Sequence, residues 1–88
     1  MYFVYILRLA NGDLYKGMTT DMTRRMHEHR SGTVTSTKPY LPLHLIGWEA
    51  YALKSDAERR ELFLKTTEGR RLTKRQYRDI LAQYGGVA

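Results

Sequence analysis

The first eighteen residues constrain the fold most, because they predict a β-hairpin. Residues 2–9, YFVYILRL, are rich in aromatic and β-branched types, which is typical of a buried strand. Asn11-Gly12 supplies a hairpin turn, and residues 14–18, LYKGM, form the returning strand. The opening segment is too short to span a membrane and has no basic residue ahead of its apolar run. We therefore expect neither a signal peptide nor a membrane partner.

The length of the turn decides which face of the hairpin each tyrosine occupies. A two-residue type I′ turn at Asn11-Gly12 places Tyr5 and Tyr15 on opposite faces. A three-residue loop, residues 10–12, with its glycine in the left-handed conformation of a G1 bulge, shifts the register by one residue. Both tyrosines then share one face, and Gly17 leaves open space between them. The sequence allows both registers.

The middle of the chain predicts a helix, a loop and a third strand. The helix covers roughly residues 21–31, begins at Thr20 or Asp21 as N-cap, and stops before Gly32. Residues 33–42, TVTSTKPYLP, hold both prolines and four hydroxyl residues, and we expect an ordered loop. Residues 43–51, LHLIGWEAY, form the third strand.

Two further helices follow. A capping box at Ser55–Glu58 starts the second helix, which runs to about residue 66. Thr73 caps the third helix, and its core-facing stripe at i, i+3, i+4 and i+7 consists of Tyr77, Ile80, Leu81 and Tyr84. The Gly85-Gly86 tail is expected to fray. The order ββαβαα predicts an α/β protein of the α+β type, a single domain over residues 1–88 with a three-stranded, mainly antiparallel sheet flanked by three helices.

Charge favours a polyanionic partner. Fifteen lysines and arginines against nine acidic residues give a net charge of +6. The basic residues are spread through loops and three helices instead of lining one amphipathic helix, which favours nucleic acid over an acidic membrane. The alternative is that the charge only provides solubility. The chain has no cysteine, which excludes disulfides and thiolate metal sites and fits a cytoplasmic location.

The first helix carries a stripe that combines packing with phosphate chemistry. Met22, Arg25, Met26 and His29 fall at i, i+3, i+4 and i+7, so two methionines that pack on the sheet bring Arg25 and His29 with them. The other polar side chains of the helix are expected to face solvent: Arg24, His27, Glu28 and Arg30. An arginine held beside tyrosines is suited to bind a phosphate, because its guanidinium fork matches two phosphate oxygens. The alternative is that Arg25 pairs with a carboxylate and His29 closes one edge of the core.

The second helix offers one carboxylate for a metal. Glu61 lies on the same stripe as Ala57 and Leu64, and its partial burial is costly without a partner. A divalent cation or an arginine would supply that partner, unless this face is simply solvated. No second acidic residue is spaced to complete a cage. Any metal bound here would therefore be of the Mg²⁺ or Mn²⁺ type, with one carboxylate, waters and the substrate phosphate as its ligands.

These motifs occur in a family-like order. Phe3-Val4-Tyr5 is followed by Tyr15-Lys16-Gly17, with ten residues from Tyr5 to Tyr15, and then by GMTTDMTRRMHEHRSG, STKPYLP and SDAERRELFLK. Over roughly residues 2–65 the chain resembles the GIY-YIG endonuclease superfamily, and more narrowly its short stand-alone bacterial members. The first two pieces stand where that family has its GIY and YIG triplets.

The resemblance implies a role for each site residue. Tyr5 and Tyr15 match the signature tyrosines, Arg25 the catalytic arginine, His29 the helix histidine and Glu61 the metal ligand. Tyr15, helped by His29 or by a water on the metal, would assist deprotonation of an attacking water, while Arg25 would stabilise the charge of the transition state. A tyrosine titrates near 10, so a base role requires Arg25, the metal or Lys38 to lower its pKa.

The chain also departs from the family pattern. Phe3 replaces the first glycine, Lys16 replaces the central isoleucine, and the only asparagine is Asn11, so none follows Glu61. The expected function is a metal-dependent endonuclease of low sequence specificity that hydrolyses DNA, in repair or recombination. The alternatives are a nucleic-acid-binding module with weak or no activity, and a protein-interaction domain.

A set of basic residues outside the stripe is expected to contact nucleic acid. Its members are Lys16, Lys38, Arg70, Arg71, Lys74 and Arg75. Since they offer few phosphate contacts, we expect modest and salt-dependent affinity. The alternative for residues 70–75 is a solvated start of a helix.

Overall fold

Three antiparallel strands in the order β2-β1-β3 form a sheet that carries helices on both faces. The computed structural model describes residues 1–84, so the predicted fraying of Gly85-Gly86 lies outside the described residues. The strands are β1 (Tyr2–Arg8), β2 (Leu14–Thr19) and β3 (His44–Tyr51). The helices are α1 (Met22–Arg30), α2 (Lys54–Leu64), α3 (Thr67–Gln76) and α4 (Arg78–Gln83), with a 3₁₀ turn at Lys38–Tyr40. The predicted fold class and sheet are confirmed.

The hairpin takes the register of the three-residue loop. Leu7 pairs with Tyr15 and Tyr5 pairs with Gly17 across β1 and β2. The Leu9 amide donates to the Asp13 carbonyl at 2.8 Å, which closes the loop over residues 10–12. Gly12 has φ +91°, a conformation in which a side chain would be strained. Tyr5 and Tyr15 therefore lie on the same face of the sheet.

The two faces of β1 build two separate parts of the core. On one face, Val4 and Ile6 pack with buried residues of α2 and α4. On the other, Tyr5, Leu7 and Leu9 pack against Met26 of α1. This division follows from the alternation of side chains along a strand. A bulge in β3 at Ile46 places one extra residue opposite the Ile6–Leu7 step of β1, so the pairing of β3 with β1 shifts by one residue there.

The ends of α1 match the sequence prediction. Asp21 is the N-cap, and its carboxylate accepts a hydrogen bond from the Arg24 amide at 3.0 Å. At the other end Gly32 has φ +78°, as expected of a glycine that follows a helix. Along the helix Met26 and His29 are buried, while Met22 and Arg25 are half-buried. The predicted stripe is thus the face that meets the sheet.

Both predicted caps of the later helices are wrong. Helix α2 begins one residue before Ser55, and its N-cap is Leu53, which makes no side-chain capping bond. Thr66 caps α3 by accepting from the Gly69 amide at 3.0 Å. Thr73 is instead buried inside α3, where its hydroxyl donates to the Gly69 carbonyl at 2.7 Å. A threonine hydroxyl can accept from a free amide at the start of a helix, or it can donate to the carbonyl one turn earlier inside a helix. Residue type alone therefore did not distinguish Thr66 from Thr73 as the cap.

The third predicted helix is longer than expected and divided. Its first part, α3, starts well before Thr73, and α4 continues after Tyr77. The predicted core stripe of Tyr77, Ile80, Leu81 and Tyr84 is confirmed, since all four pack in the cluster around Val4 and Ile6. Within residues 1–84 no helix is long and apolar enough to cross a membrane.

Candidate active site

Four of the five predicted catalytic residues meet between the sheet and α1. Tyr5 comes from β1, Tyr15 from β2, and Arg25 and His29 from α1. The Tyr5 hydroxyl lies 2.9 Å from His29 Nε2 and accepts a hydrogen bond from Arg25 Nε at 3.3 Å. The Tyr15 ring packs edge-on against His29 with 5.5 Å between ring centroids. The helical stripe and the hairpin register together bring these residues into contact.

Gly17 makes room for Tyr5. A Cβ atom at position 17 would lie 2.3 Å from the Tyr5 hydroxyl oxygen and 2.4 Å from the ring carbon that bears it. The Tyr5 ring therefore crosses β2 where that strand has no side chain. The glycine of the second family triplet thus has a packing reason in this structure.

A chain of hydrogen bonds fixes the protonation pattern of the buried pair. His29 Nδ1 lies 2.8 Å from the Thr37 hydroxyl. A guanidinium can only donate, so the Tyr5 oxygen accepts from Arg25 and its own proton points to His29 Nε2. The remaining ring proton is then on Nδ1 and is donated to Thr37. We assign this tautomer because it gives every buried donor a partner.

Burial keeps both members of this pair neutral. It lowers the pKa of His29, and the positive charge of Arg25 lowers it further, against a smaller opposing effect of Glu28. Burial also raises the pKa of Tyr5 and outweighs the hydrogen bond from Arg25. Tyr5 is thus not a phenolate at neutral pH. The permanent charge at the centre of the site belongs to Arg25.

Arg25 is anchored on two sides and open on a third. Its Nη1 donates to a Glu28 carboxylate oxygen at 2.9 Å, and both Tyr5 and Glu28 raise the pKa of the guanidinium. Glu28 was predicted to face solvent only, so the prediction missed this ion pair. Arg25 thus pairs with a carboxylate, as one alternative expected, and also lies beside a tyrosine, while its contact with a phosphate stays a prediction. Nη2 makes no hydrogen bond within residues 1–84, and 32% of the side chain is exposed.

Tyr15 differs from Tyr5 in having a free hydroxyl. Tyr5 is fully buried and uses its hydroxyl internally. Tyr15 is half-buried, and no hydrogen bond engages its hydroxyl in the described part of the chain. The imidazole that was expected to assist Tyr15 bonds to Tyr5 instead. Of the two tyrosines, Tyr15 is therefore the one whose hydroxyl can reach a substrate.

Glu61 belongs to the helical layer on the opposite face of the sheet. Its side chain is 20% exposed and pairs with Lys65 one turn along α2 at 3.3 Å. Its charge still acts on the cluster of Tyr5, Tyr15, Arg25 and His29, because Glu61 is among the groups that raise the pKa of Tyr5. No group of three metal-ligating side chains occurs within residues 1–84. A partly buried carboxylate whose partner is a half-exposed lysine fits a cation that takes one protein ligand and otherwise water and phosphate.

The predicted nucleic-acid contacts line two different cavities or are exposed outside them. Lys16, Arg70 and Lys74 line a cavity with the β1–β2 loop. Arg71 is exposed and pairs with Glu68 at 2.7 Å. Arg75 lines a separate cavity of about 750 Å³, between α2, α3 and β3, which contains none of the five predicted catalytic residues. Lys38 is exposed beside Thr37 and makes no side-chain bond to Tyr5 or Tyr15 among residues 1–84.

Thr37 is the site residue that the sequence did not single out. It is fully buried and holds the imidazole of His29 from the side opposite Tyr5. Its segment, STKPYLP, was noted as a hydroxyl-rich loop. The residue that would enter the core could not be chosen from three neighbouring hydroxyl residues.

Comparisons with known proteins identify the family of this chain. The model of the GIY-YIG catalytic domain family matches residues 1–76. The chain belongs to the GIY-YIG family, whose superfamily consists of nucleases and implies a nucleic-acid substrate. These nucleases generally use divalent metals.

Within the family, the chain is similar to small proteins named UPF0213. Those of Staphylococcus aureus strains Mu3 and Mu50 are each 39% identical over 66 residues, which is 74% of this chain and 80% of the relative. The solution NMR structure of a UPF0213 protein from Bacillus halodurans is 33% identical. It superposes with a TM-score of 0.50 over 98% of this chain and 88% of that one.

Proposed function

We propose that this chain is a divalent-metal-dependent endonuclease that hydrolyses phosphodiester bonds in DNA with little sequence specificity. The observation that carries the proposal is the contact of Arg25 with the buried Tyr5–His29 pair, beside the free hydroxyl of Tyr15. The pair fixes the arginine and leaves one edge of its guanidinium available. A planar, charged fork held in one orientation is suited to the oxygens of a phosphate.

The residues have separate roles in this proposal. Arg25 contacts the scissile phosphate and stabilises the charge that accumulates as water attacks phosphorus. Tyr15 orients the attacking water through its hydroxyl. Tyr5, which is fully buried, acts as a positioning residue because it holds Arg25 Nε. His29 and Thr37 keep the Tyr5 hydroxyl aimed in that direction.

The metal is proposed to bind at Glu61, because the charge of this carboxylate reaches the Tyr5 hydroxyl although α2 packs on the other face of the sheet. When bound, a divalent cation would supply positive charge that neutralises the negative charge developing at the scissile phosphate. Glu61 would hold it after Lys65 turns away, and that movement is easy because half of the lysine side chain is exposed. Mg²⁺ and Mn²⁺ both accept a single carboxylate with water and phosphate.

The proposal is tested by nicking of supercoiled plasmid DNA with Mg²⁺, with Mn²⁺ and with chelator. Wild type is expected to nick only with metal. Arg25→Ala should slow nicking about 100-fold or more, the usual cost of removing a preorganised group that stabilises transition-state charge. Arg24→Ala is the matched control, because Arg24 lies on the solvent side of the same helix and has only a long contact to Glu28, at 3.9 Å.

A second pair of variants tests the carboxylate. Glu61→Gln should abolish metal-dependent nicking, whereas Glu58→Gln, an exposed position on the same helix, should leave it intact. If the protein binds DNA in a salt-dependent way but cuts no form of it with either metal, the proposed endonuclease activity is contradicted. That result would favour the binding module, which keeps the fold and the arginine but performs no chemistry.

The biological setting is also part of the proposal. A nuclease that acts on chromosomal DNA in repair or recombination would work in the cytoplasm of a bacterial cell.

The alternative of a protein-interaction domain predicts no binding to DNA or RNA at low salt.

A further inference from the structure

Lys16 is an unusual lysine because it is buried. Its exposed fraction is 6%, although strand β2 lies at the edge of the sheet. It pairs with Ile6 in the hairpin, so its side chain points to the face of the sheet opposite Tyr15. Lysines are almost never buried unless they are paired. A specific reason is therefore needed for this one.

The surroundings of Lys16 add charge of the same sign. Its side chain lines a cavity of about 330 Å³ together with Arg70 and Lys74, which stand one helical turn apart on α3. Burial lowers the pKa of Lys16, and the positive charges of Arg70, Lys74 and Lys65 lower it further. Asp13 is the acidic residue among those that line the cavity. Three cations against one carboxylate leave an excess of positive charge.

In the described part of the chain these cations have no acidic partner. Within residues 1–84, no ion pair involves Lys16, Arg70 or Lys74. The Asp13 carboxylate accepts a hydrogen bond from Asn11 instead. In the same residues every sealed polar side-chain atom has a partner, so the ammonium of Lys16 must open into the cavity. Lys16 therefore buries its stem and keeps its ammonium in the cavity, where the like charges of Arg70 and Lys74 disfavour it.

We infer that Lys16, Arg70 and Lys74 form a binding pocket for one phosphate group, separate from the site of Arg25 and on the other face of the sheet. Three converging cations match the charge of a phosphate better than any neutral ligand. The volume is at the small end of ligand pockets, which run from about 300 to 1,000 Å³. A cavity of this size holds a phosphate with one attached sugar but cannot enclose a double helix.

Lys16 has a competing explanation that needs no ligand. A charged residue that points inward on an edge strand discourages pairing with the edge of another sheet. That explanation accounts for the lysine but gives no reason for Arg70 and Lys74 to surround it. It predicts that phosphate has no effect on stability and that Lys16→Met promotes self-association.

The test is thermal unfolding in sodium phosphate against sodium chloride at equal ionic strength. A ligand that binds only the folded state at ten times its Kd raises the folded-to-unfolded ratio about elevenfold. We expect this gain for wild type and its loss in Lys16→Met, which should be the more stable protein in chloride. Lys54→Met, the same change at an exposed lysine of α2, should respond like wild type. A wild type that responds equally to both salts, or a Lys16→Met protein that keeps the gain, overturns the inference.

Should Lys16→Met fail to fold, the wild-type protein alone still tests the pocket. In an amide correlation spectrum, phosphate should shift Gly12, Asp13 and Lys74 and leave Thr23 of α1 unmoved. Uniform small shifts across the surface, equal to those in chloride, would refute a defined pocket. Because this probe is inorganic phosphate, the result is independent of whether the chain cuts DNA.

Oligonucleotides then identify the source of the phosphate. Single strands of one length are compared with a 5′-phosphate, a 3′-phosphate or neither, in wild type and Lys16→Met. A gain in affinity with one terminal phosphate that only wild type shows supports binding of a strand end. An equal loss for all strands in the variant supports an internal phosphodiester. Equal affinities of both proteins for every strand, with the phosphate response retained by wild type, support a free anion.

Discussion

The packing of Tyr5 over Gly17 makes Gly17→Ala the sharpest single test of the site. The added methyl carbon would lie 2.3 Å from the Tyr5 hydroxyl oxygen, far inside any real contact distance. Tyr5 is fully buried, so its ring cannot swing into solvent without leaving the core. Its displacement breaks the hydrogen bonds to His29 and Arg25 at the same time.

The expected cost can be built from these contacts. Overpacking a well-packed core costs about 1–3 kcal/mol. Loss of the buried Tyr5–His29 hydrogen bond adds roughly 0.5–1.5 kcal/mol. Loss of the hydrogen bond from Arg25 adds less than the loss of a fully buried hydrogen bond to a charged group, because Arg25 is half-exposed. The sum is about 2–4 kcal/mol. For a domain of this size each kcal/mol lowers Tm by about 4–8 °C, so the shift should be obvious in a thermal melt.

The control is Gly47→Ala, which creates the same clash on the other face of the sheet. A Cβ atom there would lie 2.3 Å from a ring carbon of Tyr77. Both variants should lose stability, but only Gly17→Ala should change the ¹⁵N shifts of the His29 ring and the rate of nicking. The nicking assay is done at low temperature, where both variants are folded. A Gly17→Ala protein with wild-type stability and an unchanged His29 signal would refute the packing described for Tyr5.

Three further predictions follow from single contacts. Since burial lowers the pKa of His29, only the unfolded chain takes up its proton as pH falls below about 6.5, so stability should decline there by up to about 1.4 kcal/mol per pH unit. In denaturant titrations His29→Gln should remove this slope and His27→Gln should keep it. Thr37→Val leaves the ring proton on Nδ1 unpaired and should cost about 1–3 kcal/mol, whereas Thr35→Val, at an exposed position, should be nearly neutral. Asp21→Ala removes the cap of α1 and should cost about 0.5–2 kcal/mol in the same titration.

Local patterns predicted the elements well where one periodicity dominated. The α1 stripe is an example, because 3.6-residue spacing alone assigned Arg25 and His29 to the sheet side and Arg24 and His27 to solvent. The turn was different. Both candidate turns place Gly12 at positive φ, and the two-residue turn also needs positive φ at Asn11, which an asparagine tolerates, so residue type does not distinguish the two turns. The fit of the Tyr5 ring over Gly17, a contact between strands, is satisfied only by the longer loop.

The predicted cap of α3 failed because two residues of one type competed for the role. Thr66 and Thr73 are both plausible caps, and the choice depends on Gly69. A Cβ at that position would lie 2.0 Å from the Phe63 carbonyl oxygen, so α3 must start close against the end of α2. That helix-to-helix contact is invisible in local sequence. Thr37 escaped notice for a similar reason, since the loop conformation that buries it depends on His29.

The edge strand β2 carries groups for both faces of the sheet in three consecutive residues. Tyr15 points toward α1 and the arginine site, Lys16 points toward α3 and the phosphate pocket, and Gly17 leaves the opening that Tyr5 fills. Such an arrangement requires the two-residue period of a strand, since three neighbours on a helix would be spread about 100° apart. It also explains why a lysine is tolerated where the family has isoleucine. A β-branched apolar residue would pack against α3, whereas the lysine leaves a charged cavity there. A nucleic-acid strand that passes around the edge of β2 would meet Arg25 on one side and Lys16 on the other, so two phosphates of one strand could be held without any second domain.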